Sequence, residues 1–266
     1  MSASRLARSL EVARTYASPI TVFVMALILW EILVPVLNMP EFIVPRPSSI
    51  VRAALDPGSR WPLHASVTVY EVAAGFFAAV AGGYGLALLL VSSPALRRVV
   101  MPYVVILQIV PKLAIAPLLV VWFGLSDVPK ITIAFLIAFF PILIDSMAGL
   151  ENVDPDLLDL AHSLNATRAK EFLRIRMPHS LPYLFNALKV AITLAVVGAI
   201  VGEFVGSQEG LGYIVQVSQV YANTPQGFAS ITYLSAIGIL TFLGVLVAER
   251  LMIPWHKRKL ELHATL

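Results

Sequence analysis

Long apolar runs separated by short polar intervals dominate the chain. A run of about 20 apolar residues is long enough for a helix to cross the hydrocarbon core of a bilayer. The pattern therefore predicts an all-α, polytopic membrane protein with about six transmembrane helices in a single domain, residues 1–266. The predicted spans are Ile20–Leu37, Ser66–Val91, Val99–Phe123, Ile131–Leu150, Tyr183–Val205 and Phe228–Ala248.

Prolines and polar residues modify this pattern between the spans. The third span contains several prolines and is expected to be kinked or broken, because proline removes a backbone donor. Before the second span, Ser48 or Ser49 is predicted to cap a short amphipathic helix over Ile50–Leu55 on the outer surface. Asp127–Lys130 is predicted to form a tight outer loop, and Gly210–Pro225 a longer one.

The longest polar interval lies within residues 151–182, and its pattern is helical. Apolar residues recur there at steps of three and four positions, at Leu157, Leu160, Ala161 and Leu164. Asn165 then interrupts the pattern, and Thr167 is predicted to cap a second short helix that carries Phe172 on its apolar face. Pro178 and Pro182 are expected to end that helix. A helix–turn–helix of this kind is suited to dock in a groove of a soluble partner.

Composition supports a membrane protein and excludes several kinds of site. The chain is 58% hydrophobic and 13% charged, with a mean hydropathy of +0.83. It has no cysteine, which excludes disulfides, thiolate metal sites and cysteine nucleophiles. It also has no phosphate-binding glycine loop and no HExxH motif, so the chain is not expected to be an enzyme or to hydrolyse a nucleotide by itself.

Basic residues are concentrated in the first tail (residues 1–19), in the polar interval and in the last tail (residues 254–266). Loops rich in Lys and Arg stay on the cytoplasmic side of a membrane. We therefore expect both termini and the 151–182 interval to be cytoplasmic.

Two charged residues inside apolar runs are candidates for the translocation path. Lys112 snorkels to an interface, pairs with Glu71 or Asp145, or faces a water-filled path that carries an anionic solute. Glu203 either lines the path or accepts a hydrogen bond near the outer interface.

Three glycines recur every fourth residue beside Glu203, at Gly198, Gly202 and Gly206, and so share one helix face. Such a face lets another backbone approach closely. It serves either packing within one subunit or contact between two copies.

The segment Asp159–Pro178 resembles the EAA loop of permeases from ATP-binding-cassette (ABC) importers. That consensus reads Glu-Ala-Ala, three residues, Gly, nine residues and Ile-x-Leu-Pro. The spacing is kept in full, with Asp159 at the Glu, Leu160 and Ala161 at the two Ala, Asn165 at the Gly, Ile175 at the Ile and Met177-Pro178 at the Leu-Pro. Asn is a plausible substitute for Gly because it tolerates the left-handed backbone conformation.

Three further segments resemble one branch of these permeases, which handles nitrate, sulfonates, taurine and thiamine-precursor pyrimidines. They are Val44–Ile50, Val110–Gly124 and Gly202–Tyr213. The resemblance implies a multi-pass protein of the bacterial cytoplasmic membrane, which works as a homodimer with two cytoplasmic ATPase subunits and an extracytoplasmic solute-binding protein. ATP and magnesium would bind to the ATPases, and no cofactor or nucleic acid is implied for this chain.

The resemblance also assigns the polar interval as the coupling helix on which the ATPase docks. The residues implied are Asp159, Ala161, Leu164, Asn165, Ala166, Thr167, Arg168 and Phe172. The predicted function is ATP-driven import of a small polar or anionic organic solute by alternating access. The alternative is a self-sufficient secondary transporter, which would be expected to show inverted repeats with matching intramembrane acids. A membrane-embedded enzyme would need a cluster of His, Asp or Ser within one span.

Overall fold

Helices account for nearly all of the chain that the computed structural model describes, which is residues 3–254, with side chains from residue 20 onward. No strand occurs in that range, which confirms the all-α class. The helices are α1 (Ala3–Val36), α2 (Pro47–Ala54), α3 (Trp61–Ser92), α4 (Pro94–Ile109), α5 (Ala116–Phe123), α6 (Asp127–Glu151), α7 (Pro155–Ser163), α8 (Arg168–Glu171), α9 (Met177–Gly206), α10 (Leu211–Val220) and α11 (Thr224–Met252).

Five apolar helical segments have the length of a membrane span. Four are continuous and contain α3, α6, α9 and α11. The fifth is the pair α4 and α5, which is bent by 79°. The apolar part of α1, Ile20–Val36, is shorter. Together these segments correspond to the six predicted spans, and the predicted tail 254–266 lies outside the described residues except for Pro254.

The break between α4 and α5 is caused by Pro111. Val110 before it is extended (ψ 129°), as steric conflict with a following proline ring requires, and a short 3-10 turn over Lys112–Ile115 leads into α5. Pro102 lies inside α4 without ending it, and Pro117 lies in the first turn of α5, where no backbone donor is needed. The predicted interruption of the third span is therefore confirmed.

Two predicted outer loops differ from the structure. Asp127–Lys130 is the first turn of α6, because Pro129 is tolerated in a first turn. The connection before α6 is shorter and turns at Gly124, whose φ is +71°. Helix α10 occupies most of the predicted loop Gly210–Pro225.

The chain divides into two compact units, of which the first comprises the residues up to Trp61 and Ile214–Ile231. In this unit α2 begins at Pro47, one turn earlier than predicted, and no side chain of its own cap residue closes it. The Glu31 carboxylate of α1 takes that place, because it accepts bonds from the backbone N–H (3.0 Å) and the hydroxyl (2.7 Å) of Ser48. The predicted serine cap is therefore wrong.

The second unit comprises Pro62–Tyr213 and the residues from Thr232 onward. Its core lies between α3, α6 and α9. The two helices α6 and α9 approach most closely at glycines: a Cβ on Gly198 would lie 2.6 Å from Ala134 Cα, and one on Gly202 would lie 2.7 Å from Lys130 Cα. These glycines therefore serve packing within one chain.

Candidate functional site

Residues 155–176, called the projection below, connect α6 to α9. Its first part is α7, which begins at Pro155 after Asp154 accepts a bond from the Asp156 N–H (3.0 Å). Asp and Pro are favoured at these two positions, because the acid satisfies a free N–H and proline needs none.

A left-handed turn at Asn165 (φ 54°) ends α7. The Ala166 N–H donates to the Ala161 carbonyl (3.0 Å), and the Asn165 N–H donates to the His162 carbonyl (2.9 Å). This pair of bonds is the Schellman motif, in which glycine is the usual residue at the left-handed position. Asn165 therefore occupies the glycine position of the EAA consensus in the conformation that glycine would adopt.

The second part of the projection joins α9 without a stop. Thr167 caps α8 by accepting the Lys170 N–H (3.4 Å), which confirms its predicted role. A π-helical turn over Phe172–Arg176 then leads directly into α9. The prediction that Pro178 and Pro182 end the helix is wrong. Pro178 lies in the first turn of α9, and Pro182 lies further inside that helix. Both follow the π-helical turn, in which the backbone hydrogen bonds differ from those of an α-helix.

The projection exposes several large apolar side chains. The exposed fraction is 56% at Leu160, 74% at Leu164 and 61% at Leu173. Ala161, by contrast, is buried. Phe172 is partly buried and packs against the cluster around Leu143 and Met147, so its ring faces the bundle. Asp159, Thr167 and Arg168 are exposed, and Ala166 is half-buried.

A buried carboxylate joins the parts of the projection. Glu171 is 8% exposed; its Oε1 accepts from Arg176 Nε (2.8 Å) and its Oε2 lies 3.1 Å from His162 Nε2. His162 belongs to α7 and Arg176 to the π-helical turn. The predictions from the sequence did not assign a role to Glu171.

At the other end of α9, Glu203 is fully buried and lies against the start of α10. Its carboxylate accepts from the Thr68 hydroxyl (2.6 Å) and from the Gly212 N–H. Thr68 in turn accepts the Leu211 N–H (2.9 Å), and His64 Nδ1 accepts the Gly210 N–H (3.0 Å). Side chains of α3 and α9 thus satisfy the free N–H groups of α10.

A second buried charge cluster lies beside it. Lys130 of α6 pairs with Glu71 of α3 and, at 3.0 Å, with Asp127. A cavity of about 440 Å³ opens there, lined in part by Ser66, Tyr70, Asp127, Lys130, Ser207 and Glu209. Ser207 Oγ lies 3.4 Å from Lys130 Nζ.

Lys112 lies in the short turn between α4 and α5 and is half-buried. Its Nζ donates to the Gln108 carbonyl (2.8 Å) and lies 4.4 Å from the centre of the Phe140 ring, a cation–π distance. The predicted pairing with Glu71 is wrong, because Glu71 pairs with Lys130.

Comparison with known proteins identifies the family. The family model described as binding-protein-dependent transport system inner membrane component matches residues 72–254. The formylaminopyrimidine transport permease protein ThiX of Halalkalibacterium halodurans is 33% identical over 91% of this chain and 96% of its own length.

Two more relatives are also transport system permeases. The riboflavin transport system permease protein RibX of Chloroflexus aurantiacus is 29% identical over 89% of each chain. The taurine transport system permease protein TauC of Escherichia coli is 28% identical over 73% of this chain and 70% of its own. These matches favour the importer over the self-sufficient secondary transporter. The chain belongs to the inner membrane components of binding-protein-dependent transport systems, the permease subunits of ABC importers.

Proposed function

We propose that the projection is the docking surface for a partner ATPase, and that this contact drives the permease. In the assembled importer two copies of this chain combine with two ATPase subunits and an extracytoplasmic solute-binding protein. Both termini and the projection face the cytoplasm, as the distribution of Lys and Arg favours. ATP and magnesium bind on the ATPases, and this chain contributes no catalytic group.

The observation that carries the proposal is the exposed apolar stripe of the projection. Leu160 and Leu164 are more than half exposed on a segment rich in charged residues, before the apolar helical stretch that begins at Arg168. Leu173, near the start of that stretch, is 61% exposed. Exposed apolar patches with a polar rim are typical of protein interfaces. Asp159 and Arg168 supply such a rim.

The geometry is suited to a helix that enters a groove. Helix α7 is preformed, since caps close both of its ends, and a preformed helix loses little conformational entropy on binding. In the cycle we propose, ATP binding draws the ATPases together and moves the docked projections. The cytoplasmic gate closes and the outer gate opens.

For the solute, we propose a small organic molecule of the pyrimidine or sulfonate type. The support is similarity to permeases named for formylaminopyrimidine and taurine transport. Lys112 is the better of the two candidate path residues, because this charged residue is half-buried at the break between α4 and α5. The enclosed carboxylate of Glu203 is more suited to hold α10 beside the path.

The test replaces Leu164 with Asp in the complete importer. L164D is expected to lose most ATPase subunits during purification and to abolish solute uptake, because a charge would have to enter an apolar groove. The matched control is L55D, since Leu55 is also 74% exposed but lies outside the projection. Retention of the ATPases by L164D at the level of L55D would overturn the proposal.

A further inference from the structure

The contacts of Glu171 extend beyond the projection. Its partner Arg176 also donates from Nη1 to the Leu150 carbonyl (3.1 Å) in the last turn of α6. One guanidinium therefore bonds the projection and the end of α6 at the same time. Carbonyls in the last turn of a helix lack partners within the helix, so this bond satisfies a group that would otherwise need water.

A second bond fixes α9 to the same end of α6. His179 Nδ1 lies 2.9 Å from the Gly149 carbonyl. Gly149 also lets the Tyr183 side chain lie flat against α6, because a Cβ on Gly149 would lie 2.7 Å from Tyr183 Cβ. The start of α9 and the end of α6 are therefore in direct contact where the projection begins.

Helices α6 and α9 remain in contact from the end near the projection to the opposite end of the pair. The close approaches at Gly198 and Gly202 lie near the other end of α9, beside Ala134 and Lys130. Packed interiors have low compressibility, so a pair in contact at both ends moves as one body. That other end carries the Lys130–Glu71 pair and the cavity.

We propose that Glu171 is a positioning residue that locks α7 to the α6–α9 pair, so that a displacement of the projection reaches the far end of that pair. His162 is the contact on α7, and Arg176 is the residue that in turn bonds to the Leu150 carbonyl at the end of α6. The two carboxylate oxygens of Glu171 join His162 and Arg176. This inference rests on the proposed function, because it assumes that the ATPase displaces the projection. Without the carboxylate, α7 could still dock but would move separately from the bundle.

The first experiment compares E171Q with R174Q in the complete importer, reconstituted in vesicles. Arg174 is an exposed residue on the same turn, so R174Q removes a charge there and leaves the Glu171 bonds in place. E171Q is expected to retain its ATPases and its melting temperature, while the solute transported per ATP hydrolysed falls about fivefold or more. R174Q is expected to keep the wild-type ratio. An unchanged ratio in E171Q would overturn the inference, and so would a loss of uptake that only follows a lower melting temperature.

A second measurement separates docking from transmission. The chain has no cysteine, so Gln208→Cys adds one reactive thiol at the edge of the cavity. With wild-type Glu171, a non-hydrolysable ATP analogue is expected to change the rate at which an impermeant maleimide labels this thiol. With E171Q the analogue is expected to leave the rate unchanged while the ATPases stay bound. The same nucleotide response in both would contradict the inference.

A milder variant, H162A, tests the inference if E171Q does not fold. The His162 side chain is 59% exposed, so H162A removes the α7 contact without opening the core. The inference expects H162A to lower the solute transported per ATP, and an unchanged ratio would overturn it. An L164D importer that keeps its ATPases would instead count against the docking proposal itself.

Discussion

Glu203 explains why glycine stands at positions 210 and 212. A Cβ on Gly210 would lie 2.4 Å from the Glu203 carboxyl group, and Gly210 also has a φ of +109°. A Cβ on Gly212 would lie 2.7 Å from Glu203 Oε2. A buried carboxylate needs several hydrogen-bond donors, and only glycine lets the backbone come close enough to supply them.

This contact gives a prediction for Gly212→Ala. The methyl group would push against the carboxylate and weaken the bond from the Gly212 N–H, so we expect a loss of about 1–3 kcal/mol in the free energy of unfolding. The measurement is thermal unfolding of the purified protein in detergent. Gly238→Ala is the control, because a Cβ on Gly238 meets no atom within 4 Å. Equal melting temperatures for the two variants would contradict this account of Glu203.

Residue roles that depend on near neighbours could be predicted from the sequence, and those that depend on distant partners could not. The left-handed conformation at Asn165 and the cap at Thr167 follow from backbone groups a few positions away. The pairing of Lys130 with Glu71 depends on how α3 and α6 pack. The sequence predicts an outer loop over Asp127–Lys130, and nothing local to it indicates that Lys130 pairs with a residue of another helix.

At the scale of secondary structure, the second part of the projection, from Arg168, continues into α9 without a break, so the projection is not a separate helical hairpin. The sequence predicted both of its short helices, because their apolar periodicity and caps are local. It could not predict the π-helical turn Phe172–Arg176, since a π turn has no apolar period of its own. The sequence does not predict α10 for a different reason, which is that side chains of other helices supply its cap.

The turn at Asn165 is the element on which the shape of the projection depends. Asn165→Val would place a β-branched residue at φ 54°, which costs about 1–2 kcal/mol, whereas Asn165→Gly fits the turn. Hydrogen exchange at the Ala166 amide, which bonds to Ala161, is expected to be faster in N165V and close to wild type in N165G. Ala169→Val adds the same side chain at an exposed position of α8 and is the control. Equal protection in N165V and A169V would show that the turn tolerates any residue.

At the scale of the whole molecule, hydropathy alone predicted the class of protein and nearly all spans. That success follows from the bilayer, which requires each spanning segment to satisfy its backbone bonds internally and so to be helical. The second unit places the projection at one end of the α6–α9 pair and the cavity at the other. These two ends should therefore lie on opposite sides of the membrane.

Single cysteines test this topology, because the chain contains none of its own. Leu164→Cys and Gln208→Cys are both at exposed positions of the second unit. In sealed right-side-out vesicles an impermeant maleimide is expected to label the thiol at 208 and spare that at 164. Inside-out vesicles should give the reverse. Labelling of the thiol at 164 from outside would place the projection on the wrong side for an ATPase.

The central claim is that the projection touches the ATPase, and a photo-cross-linker at position 164 tests it most directly. Benzoyl-phenylalanine replaces Leu164 in the intact importer, and the same residue replaces Gln208 in the control. After irradiation the account predicts a covalent adduct of permease and ATPase from position 164 and none from position 208. An importer that is active before irradiation and yields no ATPase adduct from position 164 would contradict it.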